Sequence, residues 1–247
     1  MTLRNIRLVV AYDGSRYHGW QRQNNGLTIQ AVIEERLQLM TQSPVKLLAS
    51  GRTDAGVHAL NQVCNFKTPS QIPIDTLKRG LNALLPPDIL VKEAAVVPVE
   101  FHSRYRAKSK IYEYRILNRQ NPDIFRRNVL WHIRFPLDVE TMSECLSITK
   151  GTHDFSAFKS SGSANTDPVR TILSNCIESD EDGVLRIIVE GDGFLRHMVR
   201  NIVGTLVETG TGRMDLKRFA EVLESGDRQM AGRKAPPQGL FLVAVKY

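Results

Sequence analysis

Near the start of the chain, Ile6, Leu8, Val10 and Tyr12 recur at a spacing of two and read as one face of a strand over residues 5–12. Thr28 is placed to N-cap a helix whose apolar stripe is Ile29, Val32, Ile33, Leu37 and Met40. Strand-like runs follow at 45–49 and 62–66, with a polar stretch between them. Residues 74–85 read as a second helix, with Pro73 suited to its first turn, and 89–97 as a strand. The second half repeats this order loosely. Strands are expected at 110–117 and 130–135, and a helix at 138–150 that ends near Gly151. A hairpin at 171–177 and 184–190 has Asp182-Gly183 near its turn. A helix at 195–207 carries the stripe Leu195, Met198, Val199, Ile202, Val203 and Leu206; another follows at 215–223, and a last strand at 240–245. The pattern predicts an α+β protein of two ferredoxin-like (RRM-like) β-α-β-β-α-β halves, residues 1–106 and 107–247, sharing one mostly antiparallel sheet. Polar segments at 119–127 and 159–168 read as loops, and the serine-rich 160–165 is expected to close over a substrate.

The polar stretch between the two short strands is Gly51-Arg52-Thr53-Asp54-Ala55-Gly56-Val57-His58. Its two glycines suit a sharp turn or a close backbone approach, and its one carboxylate, Asp54, has no acidic neighbour within ten residues. A polar loop held between strands is well placed to present a reactive group, although an aspartate and glycines also make ordinary turns.

Composition narrows the class. At 247 residues the chain suffices for one large domain or two of roughly 100–120 residues. Lys and Arg number 33 against 26 Asp and Glu, and the net charge of +7 suits a phosphate-rich partner, because each neutralised phosphate releases counterions. Cys64, Cys145 and Cys176 have neither metal-ligand nor redox spacing, which points to inert thiols in a reducing, cytoplasmic setting. There is no signal-like apolar block and no run of about 18 apolar residues, so no membrane association is expected. A phosphate-binding loop, a Cys/His cluster and a dinucleotide fingerprint are all missing, and neither a cofactor nor a metal is expected.

The string Gly51 to His58 resembles the catalytic motif of the tRNA pseudouridine synthase A family, and the similarity runs through most of the chain. It includes Ala11-Tyr12-Asp13-Gly14, Gly19-Trp20-Gln21, Phe101-His102-Ser103-Arg104, Lys110-Ile111-Tyr112-Glu113-Tyr114 and His153-Asp154-Phe155. It continues from Phe194 through Met198-Val199-Arg200-Asn201-Ile202-Val203-Gly204 and ends at Gly239-Leu240-Phe241-Leu242. The resemblance implies two related domains with helices on one face of the sheet and an active-site cleft between the halves. The implied reaction is isomerisation of uridine to pseudouridine at positions 38, 39 and 40 in the anticodon stem-loop of tRNA, by a homodimer. Asp54 is implied as the catalytic carboxylate, Tyr112 as the platform for the target uracil and Arg200 as the partner of Asp54.

Other residues carry weaker expectations. Arg52 is suited to stabilising a flipped-out nucleotide or to contacting a phosphate, and His58 to contacting RNA or to a structural role. Arg196, four residues before Arg200 on the expected helix, and Arg170 join Arg22, Arg104, Arg106, Lys108 and Lys110 as cations for tRNA affinity. Trp20 suits stacking or core packing, and Tyr114 core packing.

Two other readings compete: a non-catalytic RNA-binding protein of two RRM-like folds, and an aspartate-nucleophile hydrolase or phosphotransferase. The first lacks the aromatic RNP string, and the second lacks the neighbouring carboxylates that would hold Mg²⁺. Attack by Asp54 at C1′, addition at C6 and proton abstraction at C2′ remain open as its chemical role.

Overall fold

The computed structural model describes residues 3–160 and 167–247, so the serine-rich segment expected to cover a substrate lies, apart from Ser160, outside the described residues. The strands are β1 (Arg4–Tyr12), β2 (Leu48–Ala49), β3 (His58–Thr68), β4 (Ile89–Val97), β5 (Ser109–Asn118), β6 (Trp131–Ile133), β7 (Gly151–Asp154), β8 (Val169–Ser179), β9 (Val184–Gly191) and β10 (Leu240–Lys246). The helices are α1 (Ile29–Thr41), α2 (Ile74–Leu84), α3 (Val139–Ser147), α4 (Met198–Gly210) and α5 (Leu216–Ser225). The chain divides into two compact units, Met1–Lys108 with Phe241–Tyr247 and Ser109–Leu240.

In the first unit β1 lies between β3 and β4, antiparallel to both, and β2 pairs antiparallel with β3. Ile6, Leu8, Val10 and Tyr12 are all buried, as their spacing predicts. Thr28 caps α1 by accepting a hydrogen bond from the Ala31 N–H at 3.3 Å, and Ile29, Val32, Ile33 and Leu37 are buried beneath it. Pro73 sits one residue before α2, which buries Leu77 and Leu81. The last strand, which belongs to the second half in sequence order, runs parallel to β3 here, with Phe241 opposite His58 and Leu242 opposite Ala59.

The second unit is built on antiparallel pairs β5–β9, β9–β8 and β8–β7, with β6 parallel to β5. The β8–β9 turn closes with Gly183 at φ +79°, and Asp180 accepts from the Val184 N–H at 2.8 Å. Two local expectations are corrected, and one strand is unexpected. Helix α3 stops at Ser147 rather than 150, because the Thr149 hydroxyl (2.7 Å) and the Asn175 side chain (2.9 Å) both donate to the Leu146 carbonyl. Strand β7 has no apolar alternation to reveal it; it is an edge strand held by pairing to β8. Helix α4 begins at Met198 rather than 195, because His197 takes the left-handed conformation at φ +63°. Arg196 therefore precedes the helix, and its expected four-residue alignment with Arg200 does not exist. Among the described residues no helix is long and apolar enough to cross a membrane.

Candidate active site

The Asp54 loop is fixed by its neighbours within the first unit. At its root, Gln62 on β3 accepts from the Ser50 hydroxyl at 2.7 Å and donates to the Gly51 carbonyl at 2.9 Å. The buried Thr53 hydroxyl pairs with the Tyr12 hydroxyl at 2.8 Å, and the Thr53 carbonyl accepts from the Trp20 N–H at 3.0 Å. The Val57 N–H closes a turn onto the Asp54 carbonyl at 3.1 Å, with Gly56 at φ +76°. Burial pushes the Tyr12 phenol up, so it remains a neutral hydrogen-bonding group. Asp54 itself is half-buried, and Arg52 projects into solvent with its Nε donating to Gln21 at 3.0 Å.

Close approach explains the glycine at position 19. Its φ is +83°, and a Cβ there would lie 2.5 Å from the Thr53 carbonyl oxygen and 3.0 Å from the Asp54 carbonyl carbon. Both are backbone atoms, so no flexible side chain can give way. Gly19→Ala is expected to cost about 1–3 kcal/mol in stability and to displace the Asp54 backbone. A shift of about 1 Å at a catalytic group can cost roughly 100-fold in rate, so if Asp54 carries the chemistry that the sequence resemblance implies, turnover should fall well beyond the loss of folded protein. Thermal melting and turnover on tRNA check this together; wild-type values in both would show that the loop does not depend on this contact.

His58 is 1% exposed, its Nδ1 accepts from the Gly14 N–H at 3.1 Å, and its ring stacks on Phe241 with centroids 4.6 Å apart. Asp13 also approaches Nδ1, at 3.2 Å. Burial raises the Asp13 carboxyl, but hydrogen bonds from Ser15, helped by the neighbouring His58 ring, outweigh it and hold the group below its ordinary value. This geometry assigns His58 to anchoring the end of the loop. Trp20 is 1% exposed and packs at 5.9 Å from Tyr12, so core packing is its role. Arg22 is committed to Glu34 at 2.9 Å and approaches Glu35 at 3.8 Å.

In the second unit Tyr112 lies on β5 opposite Val189, 8% exposed, with Phe194 edge-on to its ring at 5.0 Å. Tyr114, two residues on, is fully buried and donates to the Pro236 carbonyl at 2.7 Å. Burial drives its phenol up, partly offset by the Arg200 charge. Arg200 is 6% exposed in the first turn of α4. Its Nε donates to the Ala235 carbonyl at 2.8 Å, and the Ala235 N–H returns to the Arg200 carbonyl at 3.0 Å. The segment reaches α4 because Gly204 has no Cβ; one there would lie 1.7 Å from the Arg233 carbonyl. Arg196 is exposed, and Arg170, half-buried on β8, turns one guanidinium N–H onto the Val169 carbonyl. Among the described residues no three of His, Cys, Asp and Glu gather as a metal-binding group.

The family model described as tRNA pseudouridine synthase matches residues 8–106 and 148–247. The chain belongs to this family. A protein named tRNA pseudouridine synthase A from Thermoanaerobacter sp. (strain X514) is 48% identical over 245 residues, covering 99% of this chain and 100% of the relative. Proteins of the same name from Acetivibrio thermocellus and Geotalea uraniireducens are each 47% identical, with the same coverage.

Against that membership, the residues missed at the level of sequence are those that support the site. Gln62, Ser50 and Tyr12 root the Asp54 loop, Gln21 orients Arg52, and the Ala235 backbone clasps Arg200. Gln21 lies within the Gly19-Trp20-Gln21 motif and Tyr12 within Ala11-Tyr12-Asp13-Gly14, and those motifs were the available signals. The contacts of the others are long-range and leave no local pattern.

Proposed function

We propose that this protein isomerises uridine to pseudouridine at positions 38, 39 and 40 of the tRNA anticodon stem-loop, as a cytoplasmic homodimer. The observation that carries the reading is the Asp54 loop: one carboxylate held half-buried on a rigid, strand-rooted turn, next to an exposed arginine, in a member of the tRNA pseudouridine synthase family. In the reaction the N1–C1′ bond breaks, the freed uracil turns, and C5 bonds to C1′. N1 gains a proton and C5 loses one, so no redox partner or imported group is required.

In this proposal Asp54 acts on the sugar or base as its carboxylate, and Arg200 pairs with it. A guanidinium offers two parallel donors to a carboxylate and stays charged where water is excluded. Arg52 steadies the backbone of the extruded nucleotide, and Arg170 and Arg196 contribute phosphate contacts. Tyr112 offers its ring to the loose uracil and its hydroxyl to proton movement at C5. Tyr112→Phe is accordingly expected to bind tRNA nearly as wild type does and to turn over at least about 100-fold more slowly, the usual scale of acid–base assistance. Wild-type turnover in this variant would remove the hydroxyl from the chemistry.

The deciding experiment is tritium release from tRNA labelled at uridine C5, using transcripts with a single uridine at 38, 39, 40 or a distant control position. Release from the three anticodon-arm substrates alone supports the proposal. Tight binding without release would leave an RNA-binding protein with no isomerase activity.

A further inference from the structure

The connection that follows β4 carries the motif Phe101-His102-Ser103-Arg104, which the chemistry above does not use. It is braced far more firmly than a surface connection requires. Asn5 on β1 and Asn65 on β3 are both fully buried, and Asn65 donates to the Asn5 side chain at 2.9 Å. Both also turn outward to this segment. The Asn5 amide donates to the Phe101 carbonyl at 2.9 Å, and the Asn65 side-chain oxygen accepts from the Ser103 N–H at 2.9 Å. The Ser103 hydroxyl donates to the Leu48 carbonyl, and Tyr247 donates its hydroxyl to the Ser103 carbonyl at 2.7 Å. The turn closes with the Arg106 N–H on the His102 carbonyl at 3.0 Å.

This rigid turn presents an aromatic ring to solvent. Tyr105 is 76% exposed, backed by the His102 ring with centroids 4.3 Å apart, and the Arg104 guanidinium lies 5.8 Å from its centroid. The Arg104 N–H donates to His102 Nδ1 at 3.1 Å, which fixes the orientation of the imidazole. Arg104, Arg106 and Lys108 are exposed, and none forms an ion pair among the described residues. Bracing of this kind removes the entropy cost of ordering an aromatic side chain when a ligand arrives. Flat ligands that are also anionic fit such a surface, and a nucleotide is both.

We propose that Tyr105, backed by His102 and flanked by Arg104 and Arg106, is a stacking platform for an unpaired base of the tRNA other than the uridine being isomerised. The proposal rests on the tRNA reading given above. An unpaired base is specified because a base inside a helical stem has both faces already stacked. The target uridine is excluded because the reacting base needs shelter from water, and a ring this exposed offers none.

The test measures the dissociation constant of an unmodified tRNA transcript over a series of KCl concentrations. Tyr105→Ala is expected to weaken binding about ten-fold at every salt concentration, because stacking releases no counterions. Its plot of log K against log salt should run parallel to wild type, and its melting temperature should not move. Tyr105→Trp, which keeps a flat ring, should bind within about two-fold of wild type. Arg106→Ala should instead flatten the salt slope by about one unit. Wild-type affinity in Tyr105→Ala overturns the platform. So does a loss accompanied by a flattened slope, which would mean that Tyr105 merely positions Arg104. If wild-type protein neither binds this tRNA nor releases tritium, it is the underlying tRNA reading that fails.

Discussion

Asp54→Asn is expected to reduce turnover by at least about four orders of magnitude while tRNA affinity stays within a few-fold of wild type. The amide has nearly the size and shape of the carboxylate, so what changes is charge and basicity. The loop should survive the change. Within its own unit it is held by the Thr53 hydroxyl and carbonyl, the Gly51 and Asp54 carbonyls and the Gly56 N–H, all of which the substitution leaves in place. Melting temperature and tRNA affinity therefore serve as internal controls for a single-turnover tritium-release assay. Residual turnover above a few per cent, in protein free of the host's own enzyme, would move the chemistry to another group.

Arg200→Met should be nearly as damaging, with a loss of roughly 100- to 1,000-fold, the scale seen when one fixed electrostatic partner of a reacting group is removed. Methionine fills much of the same volume, but the Ala235 carbonyl loses its 2.8 Å donor, and a stability loss of about 1–3 kcal/mol should accompany the change. Arg200→Lys separates the two effects. It restores the charge without the two-point fork, so part of the rate should return. Combining the substitutions is more telling. If Asp54 and Arg200 act as one pair, Asp54→Asn with Arg200→Met should be little worse than Asp54→Asn alone, as when one member of a catalytic unit is already gone. Losses that simply multiply would assign Arg200 to the RNA or to the fold of the second unit.

Much of this protein was legible in its residues because the signals concerned are local. A spacing of two buries one face of β1, and Thr28 caps α1 where capping chemistry puts it. The Asp54 loop stood out because its eight-residue string, Gly51 to His58, resembles a family motif, whereas glycines and an aspartate alone also make ordinary turns. What only the tertiary structure decided depends on partners distant in sequence. The apolar run of β10 says that it is a strand, but parallel pairing to β3, with Phe241 seated on His58, is set by backbone hydrogen bonds between segments far apart in the chain. That seating turns a histidine suited to RNA contact into a buried anchor. The left-handed His197 delays α4 and takes Arg196 off the helix, because one residue's φ can override three residues of helical periodicity. Tyr112 and Tyr114 share a strand face, yet only Tyr114 is wholly buried, with Pro236 receiving its hydroxyl; spacing assigns both to one side, and the neighbours packed there decide what each can do.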